Sequence, residues 1–271
     1  MGHQFDTFGR SHLAINCVRC PLQRGKGGDC IWSPETGEAS KAGGEIKLAP
    51  DEVLLEGVCN THCYWIVKSG LLRVVHYGVE GRRHLLSFVL PGEVAGFIMP
   101  MASGQIIEAA SSAVLCKIDK RQFMQRMAVD TAFRHAVYRQ EKEQLDRLRW
   151  LIWAIGGLSP VERLAAFLIW AMRFMPYEPQ EDGSAILTLQ VSRSDLADFL
   201  NTTAETISRV THRMQDDGRI EILDAARFRI LDLKAIFYMG CVSPDPNAPS
   251  EGMPSLVHAK TGGAPRLQAP T

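Results

Sequence analysis

Residues 193–219, RSDLADFLNTTAETISRVTHRMQDDGR, contain two short helical patterns separated by a turn. Ser192–Asp195 has the pattern of a helix start, and the chain is expected to turn at Asn201. Thr203 can then cap a second helix that runs to about Asp216. Two short β segments joined by a loop follow this helix. The order of helix, turn, helix and β hairpin predicts a winged helix-turn-helix domain.

The second of these helices has one apolar and one polar face. Ile207, Val210 and Met214 lie on the apolar face and are expected to pack against the domain core. The polar face suits a DNA major groove, where glutamate can accept a hydrogen bond from cytosine and arginine can pair with guanine. The candidate residues on this face are Glu205, Ser208, Arg209 and His212.

Cations near this helix can contact DNA phosphates. Arg193 and Arg213 are the candidates for that role, and Thr203 completes the candidate DNA-binding set. Residues 193–219 nevertheless hold four arginines against five acidic residues, so the local positive charge is weak. An ordinary solvated helix face is therefore the alternative interpretation, because winged helices also mediate protein contacts.

The composition limits the function classes. The 271 residues include 30 Lys and Arg and 30 Asp and Glu, so any DNA binding must come from local placement of cations. No apolar run approaches the roughly 18–20 residues that span a bilayer, and the N-terminus lacks the apolar region of a secretory signal. We expect a cytoplasmic protein that does not contact membranes.

The rest of the chain divides into further segments. Alternating apolar residues predict strands, whose number and spacing suggest a small barrel or jelly roll; they are Tyr64–Lys68, Leu71–Tyr77, His84–Leu90 and Ala113–Ile118. The expected divisions are a cysteine-rich segment (1–44), a β sensor domain (45–120), a dimerisation helix (121–157), a winged helix-turn-helix domain (158–240) and a disordered, proline-rich tail (241–271).

A long helix is predicted from about Thr131 to Ile155. Its apolar residues recur at intervals of three, four and three, which is typical of a coiled-coil seam; they are Leu145, Leu148, Ile152 and Ile155. We expect this seam, which contains no charge, to form a homodimer. The alternative is that the helix packs this stripe against its own β domain.

The chain has seven cysteines, an odd number that argues against a disulfide framework in a protein without a secretory signal. Cys17, Cys20 and Cys30 lie within fourteen residues, and Cys116 ends a predicted strand. Four thiolates suit either an iron–sulfur cluster or zinc. Taken separately, Cys17 and Cys20 could form a redox pair or half a zinc site, and Cys116 could be a core thiol.

Several motifs resemble the CRP/FNR family of bacterial transcription regulators over residues 45–238. They are Lys68-Ser69-Gly70, Leu90-Pro91-Gly92-Glu93, the stretch ERLAAF at 162–167, LADFL at 196–200, ETISR at 205–209 and DGRI at 217–220. The resemblance implies an α+β protein. Its expected parts are an N-terminal β-roll (a jelly roll like cyclic-nucleotide-binding domains), a long dimerisation helix and a C-terminal winged helix-turn-helix.

The pattern Glu-x-x-Ser-Arg is similar to that of the FNR branch, which implies TTGAT-type half-sites read by Glu205, Ser208 and Arg209. The cysteines also resemble the FNR arrangement of three N-terminal ligands and one central ligand. That resemblance implies an oxygen-sensitive [4Fe–4S] cluster on Cys17, Cys20, Cys30 and Cys116. The implied protein is a homodimeric activator that binds palindromic double-stranded DNA and contacts RNA polymerase.

Two other functions are set against this one. Members of the family that bind a cyclic nucleotide hold its phosphate with an arginine soon after the Gly-Glu pair, but Gly92-Glu93 is followed by no Lys or Arg before Lys117. We therefore expect no cyclic nucleotide. The alternative regulator senses nitric oxide through haem, or a small ligand, and its cysteines bind zinc or are structural. The sequence has no P-loop, His-Glu-x-x-His or Gly-x-Ser-x-Gly motif, so we do not expect an enzyme.

Overall fold

The computed structural model describes residues 45–56, 62–96 and 104–240, with the backbone of two short paired strands, β1 (Gln23–Arg24) and β2 (Asp29–Cys30). The described chain is an α+β protein, as expected. The rest of the cysteine-rich segment and the tail at 241–271 lie outside the described residues. Among the helices that are described, none has the length and apolarity needed to cross a membrane.

The first domain is a two-layered β-roll of antiparallel strands. Its strands are β3 (Glu45–Leu48), β4 (Val53–Glu56), β5 (Cys63–Ser69), β6 (Leu72–Tyr77), β7 (Arg83–Val89), β8 (Val94–Ala95), β9 (Gln105–Ala109) and β10 (Ala113–Asp119). One sheet has the order β3-β10-β5-β8 and the other β4-β9-β6-β7. Val67, Leu72 and Leu115 are fully buried in the apolar core that the two sheets share.

The turn between β5 and β6 requires glycine. Gly70 has φ +80°, and a Cβ at this position would lie 2.2 Å from the carbonyl oxygen of Ser112. Only a residue without a side chain fits both the backbone angle and this close approach. The Lys68-Ser69-Gly70 motif is therefore explained by the packing of β10 against this turn.

Two helices, rather than one, follow the β-roll. Helix α1 (Lys120–Val129) begins after Asp119, whose side chain accepts a hydrogen bond from the Gln122 amide, and it buries Phe123 and Met127. Asp130 then accepts from the Phe133 amide and starts helix α2 (Thr131–Gly157). The segment predicted as a single dimerisation helix at 121–157 is thus corrected, because Asp130 ends one helix and caps the next. The narrower expected helix from Thr131 to Ile155 corresponds to α2.

The second domain is the predicted winged helix-turn-helix. Its elements are α3 (Pro160–Phe174), β11 (Tyr177–Pro179), β12 (Ala185–Thr188), α4 (Arg193–Phe199), α5 (Ala204–Asp216), β13 (Ile220–Ile222), β14 (Arg227–Ile230) and α6 (Leu233–Met239). The strands form one sheet in the order β11-β12-β14-β13. A capping box of Ser159 and Glu162, with Pro160 in the first turn, begins α3.

Only Leu158 and Ser159 separate α2 from α3, and Arg163 holds this junction. Its guanidinium donates to the carbonyl oxygens of Ile155 (2.6 Å) and Leu158 (2.9 Å) at the end of α2. The same group donates to the carbonyl oxygen of Leu200, at 3.0 Å, where α4 ends. One side chain therefore joins the end of the long helix to the turn of the helix-turn-helix.

The two domains share an apolar core. Phe88 of β7 packs against Phe199 of α4, with 4.9 Å between ring centroids, and against Trp170 of α3, at 5.9 Å. Phe88, Trp170 and Phe199 are all buried. The winged helix-turn-helix is thus packed against the β-roll of its own chain.

Candidate nucleic-acid interface and sensor site

Helix α5 presents the expected reading face. Ile207 and Met214 are buried, and Val210 is 8% exposed, so the apolar face packs inward. The residues proposed to contact DNA lie on the other side: Glu205, Arg209, His212 and Arg213 are exposed, and Ser208 is half-buried. Thr203 caps the helix, because its hydroxyl oxygen accepts a hydrogen bond from the Thr206 amide at 3.1 Å.

Arg193 lies against the reading helix. It is half-buried in the first turn of α4, and its Nη1 lies 3.4 Å from Ser208 Oγ, at the long end of hydrogen-bond distances. The structure therefore brings Arg193 and Ser208 together. A phosphate contact by Arg193 stays a prediction, and Ser208 is the group that Arg193 can orient.

The charge balance of the helix-turn-helix is more favourable to DNA than the sequence indicates. Asp195 and Asp198 of α4 face the β-roll, where Arg73 and Arg83 form ion pairs with them. Residues 193–219 have four arginines and five acids, a net of −1, and without these two acids the balance is 4 − 3 = +1. Two of the acids that weakened the DNA-binding interpretation are thus ion-paired with the β-roll, although Asp51 and Glu108 share the same two arginines.

The predicted dimer seam divides into exposed and covered residues. Leu145 is 46% exposed and Ile152 is 73% exposed, and Leu145 also lines a cavity next to the β-roll. The face of α2 that does pack on its own chain is a different stripe, formed by Phe133, Val137, Gln140, Trp150, Leu151 and Ala154. Leu148 lines a cavity and Ile155 is partly buried against the C-terminal core. Ile152 is thus open to a partner, whereas Leu145 and Leu148 line the space between α2 and the β-roll, so the dimer seam stays a prediction beside the alternative of a contact with the chain's own β domain.

A cavity of about 420 Å³ lies between the β-roll and α2. Its wall is mainly apolar, with aromatic residues at the end nearest the second domain, and polar groups come from α2. Trp170 Nε1 and Gln144 Nε2 line or adjoin this space and have no hydrogen-bond partner among the described residues. The two cations of the lining, Arg147 and Lys142, are both in ion pairs.

Glu93, of the Gly-Glu pair, is committed to α2. Its carboxylate accepts from the Leu90 amide at 2.9 Å and from Arg147 Nη2 at 2.5 Å. Burial raises the pKa of Glu93, and the charge of Arg147 opposes that shift. Nearby Glu141 has a pKa raised to about 7, chiefly by burial and then by the charge of Glu93, against the effect of Arg147.

The cysteines are only partly within the described residues. Cys116 is half-buried in β10, where its Cα pairs with Ile66 on one side and with Glu45 on the other. It packs beside the apolar cluster that includes Phe123 and Phe133. Cys30 ends β2, while Cys17 and Cys20 lie outside the described residues. Across the part of the chain that the structure describes, no group of three or more metal-binding side chains occurs. The four-cysteine ligand set stays a prediction.

Comparison with known proteins now identifies the family. The Crp-like helix-turn-helix domain matches residues 162–236, and the cyclic nucleotide-binding domain matches residues 45–130. The nitrogen fixation regulation protein FixK of Rhizobium meliloti is 31% identical over 185 residues, covering 68% of this chain and 81% of FixK. The chain belongs to the CRP/FNR family of transcription regulators. The family consists of DNA-binding regulators and not of enzymes.

Two further relatives and one solved structure are similar to this chain. The regulatory protein HlyX of Actinobacillus pleuropneumoniae is 26% identical, covering 79% of this chain and 90% of HlyX. The anaerobic regulatory protein of Pasteurella multocida is 24% identical, covering 65% of this chain and 64% of that protein. The structure of FixK2 from Bradyrhizobium japonicum superposes with a TM-score of 0.66 at 20% identity, over 74% of this chain and 98% of FixK2. This likeness confirms the fold.

Proposed function

We propose that this regulator is a homodimer that reads TTGAT-type palindromes and senses dioxygen, thereby controlling anaerobic or microaerobic genes. Its signal would come from a [4Fe–4S] cluster on Cys17, Cys20, Cys30 and Cys116, and RNA polymerase is the further partner. The observation that carries the proposal is the register of Glu45 opposite Cys116, because the N-terminal segment enters the sheet at that point. Two relatives whose names describe regulators, one anaerobic and one of nitrogen fixation, agree with this gene class.

The chain length allows the ligand set to assemble. Fourteen residues, 31–44, separate Cys30 from Glu45 and reach at most about 50 Å when extended. Because Glu45 pairs directly with Cys116, this linker can fold Cys30 back to the central cysteine. Thiolates are the donors that iron–sulfur clusters use, and a bound cluster would supply an oxygen-labile link between the N-terminal segment and β10.

Cys116 lies close to the first turns of the proposed dimer helix. It packs beside an apolar cluster that contains Phe133 and Val137, which are in the first two turns of α2. Side chains in such a cluster move together, because protein interiors are close-packed. Restraint of Cys116 therefore favours one position of α2, and loss of that restraint releases it. The exposed seam residues of α2 then set the distance between the two reading helices, which a palindrome requires to be about 34 Å.

A second candidate function is supported by the cavity beside α2. In that case the regulator responds to a small ligand, or to nitric oxide through haem, and the cysteines bind zinc or are structural. The unpartnered Trp170 Nε1 favours this candidate, because it is a buried donor that a ligand could satisfy. We propose no cyclic nucleotide, since the buried cation of the cavity lining, Arg147, is already paired with Glu93.

The test is a visible spectrum of protein purified without oxygen, combined with iron and sulfide assays and repeated in air. We expect a broad band at about 400 nm that bleaches in air, with about four iron atoms per chain. Cys116→Ser should lose iron, whereas the matched control Cys63→Ser, a half-buried cysteine that begins β5, should retain it. Colourless protein with zinc or no metal would contradict the cluster and support the second candidate.

A further inference from the structure

Two arginines of the β-roll bind the first helix of the helix-turn-helix. Arg73 of β6 is almost fully buried, and its guanidinium lies 2.6 Å from Asp195 Oδ2 and 2.7 Å from Glu108 Oε1. A third carboxylate, that of Asp51, lies 2.5 Å away. Burial alone would lower the pKa of Arg73, but the hydrogen bonds to Glu108 and Asp51 and the charges of Asp195 and Glu108 together outweigh burial and raise it. Arg73 is therefore charged whenever it is in this position.

Arg83 of β7 completes the contact. Its Nη2 lies 2.6 Å from Asp195 Oδ1, and its Nη1 lies 3.1 Å from Asp198 Oδ2. The same Asp198 oxygen accepts a hydrogen bond from the Leu85 amide at 3.1 Å. Asp195 has a side chain only 2% exposed, so its charge is compensated by these two arginines alone among the described residues. Both carboxylates of α4 are thus held by the β-roll.

The ionic contact is directional, whereas the apolar contact beside it is not. Phe88, Trp170 and Phe199 pack together around the same interface and supply apolar burial between the domains. Burial of apolar surface has no preferred direction, whereas charge-assisted hydrogen bonds from arginine to carboxylate do, and Asp195 gives one carboxylate oxygen to each of the two arginines. Because α4 packs directly on α5, a fixed α4 also fixes the reading helix.

We propose that Arg73 and Arg83 are positioning residues for DNA reading, which hold Asp195 and Asp198 so that α5 keeps one orientation relative to α2. The inference rests on the proposed reading of a palindrome by a dimer. The contact orients the domain and does not block it, because Glu205, Arg209 and His212 remain exposed while the ion pairs are formed. A monomeric half-site has no need of this orientation, whereas two half-sites at fixed spacing do.

The experiment measures binding of full-length dimer to three duplexes. The first has two TTGAT half-sites about 10 base pairs apart, the second has about 5 more base pairs between them, and the third has one half-site. The variants are Arg83→Ala, Asp198→Asn and the double variant, and Arg83→Lys tests rescue by charge. Arg82→Ala is the matched control, since Arg82 is the exposed neighbour of Arg83.

We expect Asp198→Asn and Arg83→Ala to weaken binding to the correctly spaced palindrome about tenfold, with half-site binding unchanged. The double variant should bind about as Arg83→Ala does, because Asp198→Asn then alters a side chain whose arginine partner is already gone. Arg83→Lys should recover part of the loss, and Arg82→Ala should bind as the wild type. Since Arg83→Ala could fail to fold, Asp198→Asn, which keeps the size of the side chain, decides the result, with thermal unfolding as its control.

Three results would overturn the inference. Tighter binding by the variants would show that the contact inhibits DNA reading, and equal losses on palindrome and half-site would show a structural role only. Variants that discriminate between the two half-site spacings as well as the wild type does would show that the ion pairs play no part in orienting α5. A wild-type protein that does not prefer the palindrome would contradict the proposed function as well. If the wild type and the variants all prefer the correctly spaced palindrome to the same extent, this inference is contradicted and the proposed function is not.

Discussion

Glu93 and Arg147 form a buried ion pair, with 2.5 Å between Glu93 Oε1 and Arg147 Nη2. The pair joins the turn after β7 to the middle of α2, and Gln140 adds a hydrogen bond from Nε2 to the Gly92 carbonyl oxygen at 2.7 Å. The side chain of Glu93 is 7% exposed and that of Arg147 is 14% exposed, so neither charge can be fully hydrated if its partner is removed. The Gly-Glu turn therefore fixes the long helix against the β-roll.

Replacement of Arg147 should destabilise the protein strongly. Arg147→Ala leaves the carboxylate of Glu93 buried without its cation, and such losses amount to about 3–5 kcal/mol. Urea unfolding at fixed protein concentration measures the free energy, and Glu93→Gln combined with Arg147→Ala should recover part of it. Arg149→Ala is the control, because Arg149 is 67% exposed and should change stability by less than about 1 kcal/mol. Equal losses of unfolding free energy in Arg147→Ala and Arg149→Ala would contradict the prediction.

Glu141 should make stability depend on pH. Burial, and then the charge of Glu93, raise its pKa from 4.5 to about 7 in the folded protein, while Arg147 opposes the shift. Between these two pKa values the folded state thus binds more protons than the unfolded state. The contribution of Glu141 to the free energy of unfolding is therefore fully present below pH 4.5 and is lost as the pH rises through about 7. Between pH 5 and pH 8, the melting temperature of the wild type should fall relative to that of Glu141→Gln. Parallel plots of melting temperature against pH for the two proteins would contradict the prediction.

The exposed part of the seam should control dimerisation. Leu145→Glu and Ile152→Glu place charge in the predicted dimer contact, yet both positions are exposed on the single chain and the fold should survive. Sedimentation at micromolar concentration should show dimers for the wild type and monomers for both variants. Val129→Glu is the control, because Val129 is 84% exposed at the end of α1 and outside the seam. A dimer that persists in both seam variants would remove these residues from the interface.

The two arginines of the reading face should differ in their effect on DNA binding. Arg209→Ala should cost about 1–3 kcal/mol and relax the preference for one base, if Arg209 pairs with guanine. Arg213→Ala should weaken binding to all sequences alike and lower the salt slope by about 1, if Arg213 contacts phosphate. Lys234→Ala on α6 is the control for loss of an exposed cation. Fluorescence anisotropy on matched and mutated half-sites at several salt concentrations measures all three, and identical behaviour of Arg209→Ala and Arg213→Ala would refute the division of roles.

The sequence predicts the elements that have strong local signals. Helix α5 begins and ends within a residue of its predicted bounds, because Thr203 caps it and its apolar face repeats without interruption. The sequence does not predict strands β3, β4, β8 and β9, whose two to five residues are close to or below the shortest runs in which alternation is a strand signal. Asp119 and Asp130 are N-caps that the capping rule could have found, and they would have predicted the break between α1 and α2.

Contacts between distant residues leave no local signal. Asp195 and Arg73 are 122 positions apart, so the sequence shows an acidic helix and gives no sign of the cation that neutralises it. The cavity also depends on elements from both domains, since Phe88 and Phe199 line it together. The cysteine ligand set is the reverse case. The pattern is visible in the sequence, but Cys17 and Cys20 lie outside the described residues and the set awaits the iron assay.

The junction at Arg163 couples movement of α2 to movement of the winged helix-turn-helix domain. Since two residues link α2 to α3 and one guanidinium is bonded to the carbonyl groups of Ile155 and Leu200, the end of α2 and the turn after α4 move as one piece. A rotation of α2 too small to alter its own packing is then magnified at the outer face of α5, in proportion to the distance from the axis of α2. The half-site spacing that the dimer prefers should therefore respond to small movements at the start of α2, near Cys116.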